Sequence, residues 1–214
     1  NSVKVVLGFL ELAFAFKFLS IADQAYHWGI LDREIYLALW IAIFTLLSFY
    51  LLGTFRMPGD SEAKSTSVLG LILAIISFSF VFYLIPGLFG APLKGMSGYL
   101  PPISGQDFNI SRSSQTMLKN NLSGLCEEPK YSDFLELPHG LSGYFDLTQA
   151  KECARATGKP IFIDFTGHGC VNCREMEARV WSDSRILKRL SENFIVVALY
   201  VDDKTSLPQN QWYE

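Results

Sequence analysis

Cys170 and Cys173 stand three positions apart, with Gly167, His168 and Gly169 just before them and Asp164 six positions before the first. Two thiols at that spacing on a first helical turn are neighbours, within reach of a disulfide. The partial positive charge of a helix N-terminus stabilises a thiolate, so it lowers the Cys170 pKa below the free-thiol value of about 8.5. A strand that feeds such a Cys-x-x-Cys turn reads as a thiol–disulfide exchange centre. Zinc is the competing chemistry, and it needs two more ligands at suitable spacing. Cys126 and Cys153 are single, and His139 and His168 form no His-x3–5-His pair, so zinc at this pair is set aside. A purely structural disulfide fits less well, because the flanking glycines and turn leave the pair accessible. His168 has two readings, a positive charge favouring the thiolate or a solvated turn histidine.

The pair needs a scaffold, and the flanking sequence supplies one. Residues 161–165 are β-branched and aromatic apart from Asp164, and read as a buried strand. The glycines of the following turn permit backbone shapes that other residues resist, and a polar-faced helix begins at the cysteines. Upstream, residues 140–145 offer a short strand or turn. Asp146 caps a helix through Ala156 that ends at Gly158, before Lys159 and Pro160. Downstream, Ser182 or Asp183 opens a helix to about Ser191, and residues 194–201 form a second, fully apolar strand closed by Asp202 and Asp203. Strands alternating with helices argue for a parallel sheet covered on both faces. Cys153 reads as a packed apolar residue of the first helix, and the pairing of Cys126 stays open.

The whole chain is more apolar than one covered sheet requires. Of 214 residues, 50% are hydrophobic and 18% charged, which implies a membranous region beside a water-soluble one. The net charge of −3 contains no basic run, so nucleic-acid binding has no electrostatic footprint. Residues 1–90 hold three long apolar stretches, 3–21, 35–55 and 68–89, each near the ~20 residues that cross a bilayer. The second and third carry no charge. The first contains Glu11 and Lys17, which are expected to face a bundle interior or water, with Lys17 snorkelling toward the nearer surface. Placing the N-terminus and the 56–67 loop inside gives Lys4, Arg56 and Lys64 to the cytoplasm, against Arg33 and Lys94 on the other side. Everything after residue 89 then lies outside, where a Cys-x-x-Cys meets an oxidising compartment. Residues 91–139, rich in Gly, Pro, Ser and Asn, read as a periplasmic tether. Phe108, Met117, Leu118, Phe134 and Leu135 are available there to dock on a neighbour, and the Asn109 and Asn121 glycosylation-type triplets are assigned no function.

Strand, Asp164-Phe165, four residues, Cys170-x-x-Cys173 and helix, in that order, resemble the active site of the thioredoxin superfamily. The resemblance implies that Asp164 is the acid that helps deprotonate Cys173. It also implies a later strand pair, a final helix and a cis-proline loop, so residues 140–214 are expected to be the N-terminal part of such a domain, with the strand ending at Asp164-Phe165, central in the family, left as an exposed apolar edge. The family usually carries Trp before the first cysteine, where this chain has Gly169 preceded by His168.

Membrane helices followed by this module resemble the C-terminal portion of the thiol:disulfide interchange protein DsbD family. Residues 8–20 are similar to a helix of its membrane domain, and 162–173 to its C-terminal periplasmic domain. The expected fold is thus a membrane α-helical segment of three transmembrane helices followed by an α/β thioredoxin-like domain, incomplete at its C-terminus. The resemblance implies a multi-pass protein of the bacterial inner membrane with this domain in the periplasm. It implies a relay from cytoplasmic thioredoxin to a membrane cysteine pair and then to the terminal domain. An N-terminal periplasmic domain receives the electrons and reduces periplasmic disulfide proteins. The three apolar stretches contain no cysteine, so the membrane pair is expected upstream, in a longer polypeptide. The redox-active disulfide Cys170–Cys173 is the expected centre, with no other cofactor and no metal. Oxidase, isomerase and scaffold readings stay open, because spacing does not set a reduction potential.

Overall fold

The computed structural model describes residues 2–57, 67–103 and 125–205. Lys64, the Asn109 and Asn121 triplets, Phe108, Met117 and Leu118 lie outside them. Three helices come first, α1 (Ser2–Tyr26), α2 (Arg33–Leu51) and α3 (Val68–Leu88), each long and apolar enough to cross a membrane. α1 runs past the apolar stretch through Asp23 and Gln24, polar residues that hydropathy does not count as part of a span. The Asp23 carboxylate is buried and accepts the backbone N–H groups of Ile30 (2.9 Å) and Leu31 (3.1 Å), closing the loop to α2.

Apolar packing holds the three helices together around Tyr36, Leu37, Trp40 and Leu84. Polar ties between helices are few and specific, as expected where water cannot satisfy a stray donor. Trp40 Nε1 donates to the Ala13 carbonyl (3.1 Å), and Ser77 Oγ to that of Phe44 (3.0 Å). Phe18, Val68 and Phe82 point outward, two-thirds or more exposed, the surface a lipid-facing bundle needs. Of the two placements expected for Glu11, the bundle interior is not the one it takes: it is exposed, because the face of α1 that packs is the one carrying Ala13.

After α3 the chain folds back over one end of the bundle. Its carbonyls collect the bundle's long polar side chains: Lys17 Nζ donates to Gly98 (2.9 Å), Tyr36 Oη to Tyr99 (3.1 Å) and an Arg33 guanidinium nitrogen to Pro101. Lys17 also lies over the Tyr99 ring, 5.2 Å from its centroid. Lys17 is therefore satisfied by protein rather than by reaching water.

The second unit is an α/β layer structure. Helix α4 (Leu147–Thr157) starts at Asp146, whose carboxylate accepts the Gln149 N–H (2.9 Å), and stops at Gly158, which takes the left-handed conformation (φ 69°) that a helix-ending residue needs. Strands β1 (Ile161–Thr166) and β2 (Ile195–Tyr200) pair in parallel, Ile161 opposite Ile195 through Thr166 opposite Tyr200. Between them run α5 (Val171–Met176), a π-helical turn at Glu177–Trp181, and α6 (Ser184–Asn193). Alternate residues of β2 enter two cores. Ile195 and Val197 face Ala150 and Cys153 of α4, while Val196 and Ala198 face Trp181 and Leu190. From the end of the expected tether, Leu125 and Leu137 join these cores.

β1 is the exposed edge expected of it rather than a fully buried strand: Ile163 is 42% and Phe165 67% exposed. β2 is the strand flanked on both sides among the described residues, because Tyr144 bridges Val197 on its far side. Cys153 is buried as expected of a packed apolar residue, but it is not a free thiol: it is bonded to Cys126.

Candidate active site

Parallel pairing sets the geometry of the site. Adjacent parallel strands end side by side, so the turn after β1 meets the residues after β2, and ligands and chemistry in such sheets gather there. The Asp202 carboxylate accepts the backbone N–H groups of His168 (2.8 Å) and Gly169 (2.9 Å). That clamps the turn immediately before Cys170. Cys170 is the N-cap of α5, and its sulfur accepts the Cys173 N–H (3.3 Å). Cys170 and Cys173 form a disulfide, with their Cα atoms 5.3 Å apart. The Phe165 carbonyl stands 3.7 Å from Cys173 Sγ, placed to accept the thiol hydrogen once the pair is reduced.

Behind the sulfurs lies a charged cluster centred on Arg174. Its guanidinium donates to Thr166 Oγ1 (3.1 Å) and the Gly167 carbonyl (3.3 Å), and pairs with Glu177 (2.9 Å). The ring of His139 reaches the Glu177 carbonyl (2.7 Å), which lies in the π-helical turn. Asp164 falls on the same face of β1 as Phe162 and Thr166. Burial raises its carboxyl above the ordinary value, while the Arg174 charge pulls it down. Burial pushes Glu177 up to about 7; Arg174 opposes that and Asp164 adds to it. With a carboxyl near 7, Glu177 can accept or return a proton near neutrality beside the Arg174 charge, and burial shifts Asp164 in the same direction.

A raised acid favours the native state while it is protonated, so the Glu177 contribution is complete below its ordinary 4.5 and is lost as the pH rises to about 7. The loss is on the order of 3 kcal/mol. Glu177→Gln keeps an acceptor for Arg174 and should flatten that slope, read as denaturation midpoints by Trp181 fluorescence across the window.

His168 is placed differently from a simple charge beside the thiolate. Its Nε2 bonds Asp203 Oδ2 (2.9 Å), its ring lies tilted against Tyr200 with centroids 4.8 Å apart, and the same Asp203 oxygen lies 2.8 Å from Nε2 of His27 at the end of α1. The Lys204 N–H donates to the Ala25 carbonyl (2.9 Å), and Phe134 meets the His27 ring edge-on at 4.7 Å. The turn before Cys170 is thus seated on the end of the first membrane-length helix. On the other side, Gly98 lies against Val171. A Cβ at Gly98 would stand 2.4 Å from Val171 Cγ1 and 3.0 Å from the Val171 carbonyl oxygen. Gly98→Ala should therefore displace the 97–99 turn at a cost of about 1–3 kcal/mol, seen as faster amide exchange over 171–173.

Sequence reasoning named Cys170, Cys173, Asp164 and His168 but missed Arg174, Glu177, Asp202, Asp203 and His27. Arg174 and Glu177 carried a readable signal, an i,i+3 opposite-charge pair directly after the motif. Asp202 and Asp203 were legible only as the end of a strand, and His27 carried no local signal.

Residues 143–213 match the family model for a thioredoxin-like domain. Over 210 residues, 96% of this chain and 29% of the relative, the chain is 26% identical to the thiol:disulfide interchange protein DsbD of Campylobacter jejuni (strain RM1221). It is 37% identical over 57 residues, 27% of this chain and 9% of the relative, to the protein of the same name from Ralstonia nicotianae. It is 25% identical over 108 residues, 50% of this chain and 21% of the relative, to UBX domain-containing protein 5 of Saccharomyces cerevisiae. The chain spans less than a third of the length of each of these relatives. No solved structure matches it. Three long apolar helices, the thioredoxin-like domain behind them and alignment to DsbD along nearly the whole chain together support a DsbD-family protein.

Proposed function

We propose that this chain is the output end of a membrane electron relay, a thiol–disulfide oxidoreductase that reduces periplasmic disulfides through Cys170 and Cys173. The observation that carries the reading is a Cys-x-x-Cys disulfide at a helix start, backed by the Asp164–Arg174–Glu177 cluster and seated on a membrane-length helix. The similarity to DsbD supports the direction of flow, and the Cys126–Cys153 disulfide supports an oxidising compartment. The orientation that places residues after 89 in the periplasm of a bacterial inner membrane belongs to the same proposal.

The reduced Cys170 thiolate attacks one sulfur of a partner disulfide, forming a mixed disulfide and releasing one partner thiolate. Cys173 then gives up its proton, with Asp164 and Glu177 as the acceptors nearest Arg174. The Cys173 thiolate attacks Cys170 Sγ, which restores the Cys170–Cys173 disulfide and releases the second partner thiolate. Two electrons have moved to the partner. A dithiol in an upstream membrane part, itself recharged by cytoplasmic thioredoxin, returns the centre to its reduced state by the same exchange run on Cys170–Cys173.

The test is the in-cell redox state of the pair in the full-length parent. Acid quenching, alkylation and mass measurement should find Cys170 and Cys173 substantially reduced while Cys126 and Cys153 stay bonded. Removing the cytoplasmic reductant should oxidise the pair. A pair that is oxidised with or without that reductant would overturn the relay and favour an oxidase.

A further inference from the structure

We infer that His27, His168 and Asp203 form a binding site for one divalent transition-metal ion of the zinc class, which clamps the turn before Cys170 to the end of α1. The inference does not depend on the exchange chemistry proposed above.

Three elements far apart in sequence deliver the donors: the end of α1, the turn after β1 and the residue pair after β2. Their candidate ligand atoms all lie within 4.8 Å of one another. Both imidazole Nε2 atoms already converge on one carboxylate oxygen, at 2.8 and 2.9 Å. Two imidazoles and a carboxylate are a zinc ligand set that leaves a position open for water. Metal–ligand bonds of about 2.0–2.1 Å set the donors roughly 3.3 Å apart in a tetrahedron. To reach that edge the two imidazole nitrogens close by up to about 1.5 Å while the carboxylate oxygen withdraws by about half an ångström. Each ring then carries its remaining hydrogen on Nδ1.

The support around the donors is that of a built site. The Thr205 N–H donates to Asp203 Oδ1 (2.8 Å) and fixes the carboxylate plane. The side chains keep 27%, 10% and 14% exposure, enough to leave an entry path. His27 takes a left-handed backbone conformation (φ 55°) that glycine would adopt more cheaply.

The test uses the whole chain in detergent micelles with both disulfides formed, so that no thiol can bind metal. Titration with Co2+ should show one equivalent bound, with visible bands of nitrogen and oxygen ligands, no thiolate-to-cobalt band, and displacement by Zn2+. His168→Ala and His27→Gly should each weaken binding by at least about tenfold. His27→Gly suits its backbone conformation, so lost binding there cannot be assigned to misfolding. Glu11→Gln, at an exposed carboxylate elsewhere, should leave affinity unchanged. Absence of Co2+ and Zn2+ binding by the oxidised chain, or unchanged affinity in both histidine variants, would overturn the site.

Discussion

The Cys173→Ser form of the full-length protein should accumulate protein adducts on Cys170 that dissolve in excess reductant, whereas Cys170→Ser should form none, and neither should complete exchange. The asymmetry comes from position. Cys170 caps α5, where the helix terminus favours a thiolate, while Cys173 lies one turn inside with the Phe165 carbonyl 3.7 Å away. Resolution by Cys173 is intramolecular, its sulfur already at bonding distance from Cys170. Replacing it leaves only bimolecular attack by a free thiol, which is slower by at least about a thousandfold for a well-oriented pair. Denaturing gels run after acid trapping, with and without reductant, read both results. Adducts on Cys170→Ser would reverse the roles of the two thiols.

Removal of the other disulfide should cost stability rather than chemistry. Cys126 and Cys153 close a loop across a sequence separation of 27, and Cys153 sits in the core with Ala150 and Val197. Loop-closure entropy for that length is about 3–4 kcal/mol, a large share of the 5–15 kcal/mol that holds a typical domain together. The Cys126 N–H also donates to the Tyr144 hydroxyl (2.9 Å), so the staple fixes the ring of the residue whose backbone bridges β2. A Cys126→Ser, Cys153→Ala chain should therefore lose its denaturation midpoint by that amount while the Cys170–Cys173 pair still reacts with a small thiol. Unchanged stability would show that the loop is equally ordered without the bond.

How much of this was legible before the fold was known depends on the kind of contact. Apolar runs announce themselves, so the three long helices and the strand before Cys170 were readable from residue type alone. So were the caps Asp146 and Gly158, because capping is a local event. What could not be read is where polar groups meet across the chain. Lys17 finds the Gly98 carbonyl, Gly98 finds Val171, and His27 finds Asp203 through packing of whole elements, which leaves no periodicity behind. The Cys126–Cys153 bond escaped for the same reason. The exposure of Phe165, by contrast, matches the edge position expected of its strand.

The length of α1 has a mechanical meaning. About 20 residues cross the hydrocarbon, and α1 has 25. The surplus, roughly five residues at 1.5 Å each, raises its end about 8 Å. That end is where Ala25 and His27 grip the segment bearing the disulfide. In the proposed orientation the helix works as a post of set height, and the bilayer surface becomes the reference from which the position of the two sulfurs is measured. A donor dithiol of the proposed relay would present itself at that level, so lengthening or shortening α1 by one turn would alter the reach between them without touching a single residue of the site.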